Sequence, residues 1–169
     1  MKKNYLNVSV CRECGGTCCK HMPGIAHPVD FKAPLEKSLI KAFQSGYWAI
    51  DWYEGDPRKG KYTLSKVYFI RPKVKGVEEL FDPTWGGECI FLAYNGCTLN
   101  PLERPRGCRL LEPVSVNECT LHGGDKAACV RPWIPYRKII LRAARAVGES
   151  VNNAHYTEPP SMFEQLLGV

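Results

Sequence analysis

The sequence predicts a small, irregular α+β fold with a β-hairpin or small antiparallel sheet, about three helices and much loop. Three observations predict it. Two runs rich in aromatic and β-branched residues flank one turn-forming stretch, two segments carry apolar residues at helical spacing, and Gly and Pro punctuate the rest of the chain, clustering around many of its nine cysteines. At 169 residues the chain is long enough for one domain with its own core and short for two, so residues 1-169 are read as a single domain.

The elements follow in order. The first ten residues, MKKNYLNVSV, hold two lysines but no apolar stretch of signal-peptide length, and no segment approaches the ~20 apolar residues of a membrane span. The expectation is a chain that stays in the cytoplasm and makes no membrane contact. From Pro34 to Phe43, Leu35, Leu39, Ala42 and Phe43 recur at helical spacing, with Gly46 where a C-terminal cap belongs. Tyr47 to Tyr53 and Tyr62 to Val74 flank EGDPRKGK and read as an antiparallel hairpin. Cys89-Ile-Phe-Leu lies between Gly86-Gly87 and Asn95-Gly96, which predicts a strand or buried turn entering a tight reversal. The stretch from there to Pro135 reads as irregular. From Tyr136 to Val147, Ile139, Ile140, Ala143, Ala146 and Val147 face one way while Lys138, Arg142 and Arg145 form a solvated side, and Gly148 ends the helix. Ser161 and Glu164 have capping-box spacing ahead of Leu166 and Leu167, predicting a last short helix.

The cysteines carry the chemistry. In a reducing compartment thiols serve more often as metal ligands or catalytic groups than as disulfides, and nine leave one unpaired in any all-disulfide scheme. Cys11 and Cys14 form a CxxC pair, a spacing that lets two sulfurs from one turn reach a single ion. Gly15 and Gly16 supply left-handed conformations that bend the chain, and Cys18-Cys19 follows at once. Buried free cysteines also act as small hydrophobes, but that role needs no such spacing. Adjacent side chains diverge by ~100° in a helix and ~180° in a strand, so Cys18 and Cys19 are expected to point apart and serve different sites. Partners come from Cys89, Cys97, Cys108, Cys119 and Cys129, making all nine cysteines candidate metal ligands. Four thiolates make one tetrahedral zinc site or hold one 4Fe-4S cluster; spacing does not choose between zinc and iron. Eight would make two sites with one thiol spare, and His21 and His122 are further candidate donors. Ions joining the two halves of the chain would close a long loop, so the metal-free protein is expected to be loosely folded.

Charge adds less than it first suggests. Lys and Arg outnumber Asp and Glu by 23 to 17, a formal +6 that by itself points to an acidic partner such as nucleic acid. Eight thiolates holding two divalent ions would leave only about +2, which weighs against that partner. No nucleophile elbow, phosphate loop or HExxH motif is present, so no catalytic residue is assigned and enzyme status stays open. Trp48, Trp52, Trp85 and Trp133 either line a pocket or, as is commoner for hairpin aromatics, fill the core.

In the order CRECGGTCC, CIFLAYNGC and RPRGCRLLEP, the chain resembles the YkgJ-type cysteine-cluster family, whose amino-terminal CxxCxxxCC motif gives it the description of zinc- or iron-chelating proteins. The resemblance covers most of the chain. It implicates Cys11, Cys14, Cys18, Cys19, Cys89, Cys97 and Cys108, with Arg104, Pro105 and Arg109, while Tyr68-Phe-Ile-Arg-Pro72 resembles the family's central strand. Cys119 and Cys129 match less closely. The resemblance implies metal chelation without a single reaction, and three functional classes follow: a chelating module with structural ions and a protein partner, an iron-sulfur redox or modification enzyme, and a zinc-stabilised nucleic-acid or protein interaction module. Arg104, Arg106 and Arg109 are read as hydrogen-bonding sulfurs and carbonyls beside the site rather than as substrate ligands.

Overall fold

The hairpin read from the two aromatic-rich runs organises the chain, in a computed structural model that describes residues 7–58, 61–82, 84, 86–116, 118–122 and 125–148, with 61–65 as backbone. Strand β1 (Trp48–Asp56) pairs antiparallel with β2 (Lys61–Pro72), placing Ile50 opposite Ile70 and Trp52 opposite Tyr68. The register shifts between Glu54 and Asp56, where Gly55 takes a φ of 100° that a side chain would strain. Ala49 to Asp51 and Tyr68 to Arg71 are buried without alternation, because both faces of the hairpin are covered. Along one edge Ile50 exchanges backbone bonds with the 80–82 segment, its N–H donating to Leu80 at 2.8 Å and its carbonyl accepting from Asp82 at 2.9 Å.

Two further antiparallel pairs complete the sheets, β3 (Leu92–Ala93) with β4 (Gly96–Cys97) and β5 (Leu111–Ser115) with β6 (Glu118–Leu121). In chain order the helices are α1 (Val8–Cys14), α2 (Thr17–His21), α3 (Leu35–Gln44), α4 (Arg106–Arg109), α5 (Lys126–Val130) and α6 (Arg137–Ala146), with 3₁₀ turns at Pro28–Asp30 and Arg131–Tyr136. Small antiparallel sheets mixed with helices are the α+β class the sequence predicts. Only α3 and α6 reach ten residues; they are the two helices that periodicity predicts within the described residues. The helix expected at Ser161 lies outside the described residues.

Two expectations change. The stretch before Pro135, read as irregular, contains α4, the β5–β6 pair and α5. These elements are four or five residues long, too short to show a period, and Pro113 inside β5 disguises a strand. In α6 the covered residues are Ile140, Leu141, Ala143 and Ala144, whereas Ala146 is exposed.

Leu39 and Phe43 of α3 meet Ile140, Ala143 and Ala144 of α6 in a core shared with Ile50, Phe69 and Ile70 of the hairpin. Each fully buried aliphatic side chain there contributes about 1.5–3 kcal/mol. Trp133 sits at the centre, with no exposure, and its indole N–H donates to the Ala26 carbonyl at 2.7 Å. The guanidinium of Arg71, also without exposure, lies between the carboxylates of Asp51 at 2.8 Å and Asp82 at 3.1 Å. Beyond β2 the chain continues to pair: Lys75 N–H donates to Glu88 and Ile90 N–H to Lys73, so the hairpin end holds Cys89 opposite Val74. No helix among the described residues is long and apolar enough to cross a membrane.

Candidate metal centre

The amino-terminal cysteines sit on two short helices joined by a pair of glycines. Asn7 caps α1, its side-chain oxygen accepting from Val10 N–H at 3.4 Å. Gly15 (φ 64°) ends α1 and Gly16 (φ 74°) begins α2, and two successive left-handed residues reverse the chain in a space only glycine occupies without strain. Cys11 and Cys14 therefore share one face of α1, three residues apart, while α2 supplies Cys18 and Cys19. The last two do not diverge as expected: their sulfurs lie 3.9 Å apart. Side-chain rotation closes the gap that their Cα–Cβ directions open. Two thiolates at ~2.3 Å from one tetrahedral zinc are themselves about 3.8 Å apart, so this pair matches one edge of a single site.

Backbone contacts dock this loop onto the later cysteines. Cys89 N–H donates to the Cys19 carbonyl at 2.7 Å, Gly87 N–H to His21 at 2.8 Å and Gly107 N–H to Ile25 at 2.8 Å. The approach is so close at Gly24 that an added Cβ would stand 2.3 Å from the Cys108 sulfur. Gly16 is similarly pressed, its added Cβ falling 2.7 Å from Leu92. The β3–β4 reversal, with Gly96 at φ 106°, presents Cys97, and the β5–β6 pair places Cys119 opposite Pro113.

The result is one cavity of about 580 Å³. Helices α1 and α2 contribute Cys11, Cys14, Cys18 and Cys19 to its wall, and Cys97, Cys108 and Cys119 arrive from β4, α4 and β6. Arg104 and Arg12 line it too, and among the described residues it has no carboxylate or imidazole in its wall. Cys89, only 4% exposed, lies against the same group, raising the pKa of Cys19 and Cys108 by its charge. The thiols ring the space rather than meet at a point: among the described residues no three His, Cys, Asp or Glu side chains are already gathered to hold an ion.

The thiols perturb one another. The hydrogen bond from Cys19 brings Cys18 down to about 6 against the opposing effect of burial, with the Arg104 charge helping, while Cys19 is pushed strongly up by its bond to Cys18 and by burial. Burial raises Cys89 to about 11 and Cys108 further, and it raises Cys11 and Cys119 together with the charge of Cys18. A set of crowded thiols that resist joint ionisation, with no carboxylate or imidazole among the described lining residues, has donors of the type a soft or borderline metal prefers.

Around the cavity, Arg104 donates to the Leu99 carbonyl at 3.2 Å and Arg109 to the Arg104 carbonyl at 2.8 Å, so these arginines hold backbone, as the sequence suggests. Asp30, which sequence reasoning missed, ties them in. Its carboxylate accepts from Arg109 at 2.5 Å, from Arg106 N–H at 2.8 Å and from His27 N–H at 2.9 Å. The His27-to-Asp30 capping-box spacing is the signal that would have found it.

Other candidates lie elsewhere. Cys129, on α5, lines a separate cavity of about 90 Å³ with His27 and Arg106 and packs against the hydrophobic core, the behaviour of a small hydrophobe rather than of a member of the ring. His122 pairs with Glu112 and His21 is exposed; neither lines the thiol cavity. Trp48 stacks edge-on to Phe31 and Phe91, Trp133 fills the core, and Trp52 donates to Glu54, so these three build the fold rather than a pocket; Trp85 lies outside the described residues. Comparison with family models, with curated proteins and with solved structures returned no match.

Proposed function

We propose that this protein is a cysteine-ligated metal-binding protein that chelates zinc or iron, the latter as single ions or an iron-sulfur cluster, in a reducing cytoplasmic setting. One observation carries the reading: seven thiols from five separate elements line a single cavity with no carboxylate or imidazole among its described lining residues. Free cysteines acting as small hydrophobes would be spread through the core, as Cys129 is. The resemblance of CRECGGTCC, CIFLAYNGC and RPRGCRLLEP to the YkgJ-type family points the same way, on the same residues. Bound metal would cross-link α1 and α2 to β4, α4 and β6, closing loops of many tens of residues and adding its binding energy to folding.

A second reading, an iron-sulfur redox or modification enzyme, draws support from the volume. A structural zinc site closes on its ion, whereas about 580 Å³ leaves room for a cluster and a small molecule beside it.

Anaerobic purification with elemental analysis and a visible spectrum on one sample tests both. Near-stoichiometric zinc in a colourless protein supports the chelating module and sinks the cluster. Brown protein with iron and acid-labile sulfide does the reverse. Folded protein that takes up neither metal ends both readings.

A further inference from the structure

We infer that the thiol cavity binds a small carboxylate-bearing organic molecule, with Arg104 as the group that receives the carboxylate. This goes beyond metal chelation and stands or falls independently of it.

Among the described residues the buried arginines are Arg71, Arg104 and Arg109, none more than 8% exposed. A guanidinium taken out of water without a counter-charge is strongly destabilising, so buried charges are paired. Two of these arginines find their partners inside the protein: Arg71 lies between Asp51 and Asp82, and Arg109 meets Asp30. Arg104 does not. Its Nε–H donates to the Leu99 carbonyl at 3.2 Å, but among the described residues no carboxylate pairs with it and its two terminal nitrogens have no hydrogen-bond partner. Neither nitrogen is sealed inside the protein, and Arg104 lines the thiol cavity.

The residue is held in place. Its backbone N–H donates to the Asn100 carbonyl at 3.2 Å, and its own carbonyl accepts from Arg109 Nε at 2.8 Å, while Arg109 is gripped by Asp30. With Nε tied to Leu99, the free edge of the guanidinium is the planar fork of terminal nitrogens, which matches the two oxygens of a carboxylate. Arg12 adds a second cation to the wall, and no carboxylate among the described lining residues opposes an anion. Size selects the class. The cavity's volume of about 580 Å³ lies within the roughly 300–1,000 Å³ of small-molecule sites, far more than an inorganic anion fills, and Val8, Pro101 and Leu111 offer apolar surface to a carbon skeleton. Thiolates are the competing counter-charge. A sulfur, however, presents one atom to the fork where a carboxylate presents two, and carboxylates are what this chain gives its other buried arginines.

Anaerobic thermal melts of the full chain, metal-free and zinc-reconstituted, in rising succinate or sulfate at constant ionic strength test this. In at least one of the two forms succinate should raise the melting temperature saturably, as a ligand of the folded state does, and should bind more tightly than sulfate. Arg104→Gln should weaken succinate by roughly tenfold or more, the loss expected for a charge-assisted hydrogen bond. Arg106→Gln, which removes the same charge outside this cavity, should leave succinate binding unchanged. Should Arg104→Gln fail to fold, Arg104→Lys, which keeps the charge and loses the fork, should weaken succinate likewise. No saturable rise, sulfate binding as tightly as succinate, or undiminished succinate binding in the Arg104 variant overturns the proposal. Elemental analysis of the same samples reads zinc separately: zinc uptake without succinate binding refutes this inference alone, and succinate binding without metal uptake refutes chelation alone.

Discussion

Replacing Gly24 with alanine tests the apposition on which the centre depends, without touching a thiol. The added Cβ would lie 2.3 Å from the Cys108 sulfur and 2.9 Å from its backbone nitrogen, where ordinary contact begins near 3.4 Å. Rotating the thiol relieves the first clash and not the second, so the 24 segment and α4 must separate by a distance on the order of 0.5–1 Å in a close-packed region. Overpacking of this kind costs about 1–3 kcal/mol. Gly24 does not hold a left-handed φ, so backbone strain adds nothing; on chain entropy alone alanine would stabilise by ~0.4–1 kcal/mol. For a chain of this length the net loss lowers the melting temperature by roughly 2–10 °C. Circular-dichroism melts of metal-free and zinc-reconstituted samples measure it. Zinc retention should fall too, because the displaced segment carries Cys108. A variant that melts at or above the unaltered protein would refute the close approach of the two halves.

Three further outcomes are expected. Cys14→Ser should lower metal content and melting temperature, while Cys129→Ser should leave metal content unchanged, because Cys129 lies apart from the ring; elemental analysis of the two variants checks this. Metal-free protein should lose stability as pH rises above about 9. Cys89 is raised from 9.0 to about 11, so the folded state holds its proton where the unfolded chain releases it; this contribution is complete below the unfolded pKa and is lost toward pH 11, on the order of 2–3 kcal/mol from this group. Urea melts between pH 7 and 10.5 report it, and a flat or rising profile would contradict the burial of this thiol. Arg71→Met should destabilise by about 3–5 kcal/mol, since it strands the carboxylates of Asp51 and Asp82 in the core. Chemical denaturation measures that loss, and a change below 1 kcal/mol would show the carboxylates reach water.

Some of this was legible because its cause is local. The spacing of Leu39 and Phe43 commits α3 to one buried face. The β-branched and aromatic runs on either side of EGDPRKGK pair where they should, to within three residues at each end. Gly15 and Gly16 hold the left-handed angles their position beside the cysteines suggests. The β5–β6 pair was not legible, since strands of four and five residues containing a proline form only when α1 and α4 supply something to pack on.

For the thiol cavity, the sequence determined the candidate donors: thiols in number, a tight turn bearing four of them, and arginines close to Cys108. Tertiary structure alone decided which thiols meet. Cys119 joined the ring and Cys129 left it, although each is a cysteine ten or more residues from its nearest fellow. The adjacent pair, which backbone periodicity directs apart, came to 3.9 Å. The physical reason is the same in each case. Residue type and spacing set what a side chain can bind and where its Cβ points, but the distance between sulfurs from remote segments is set by backbone contacts such as Cys89 to Cys19 and Gly107 to Ile25, and those exist only once the chain has folded on itself.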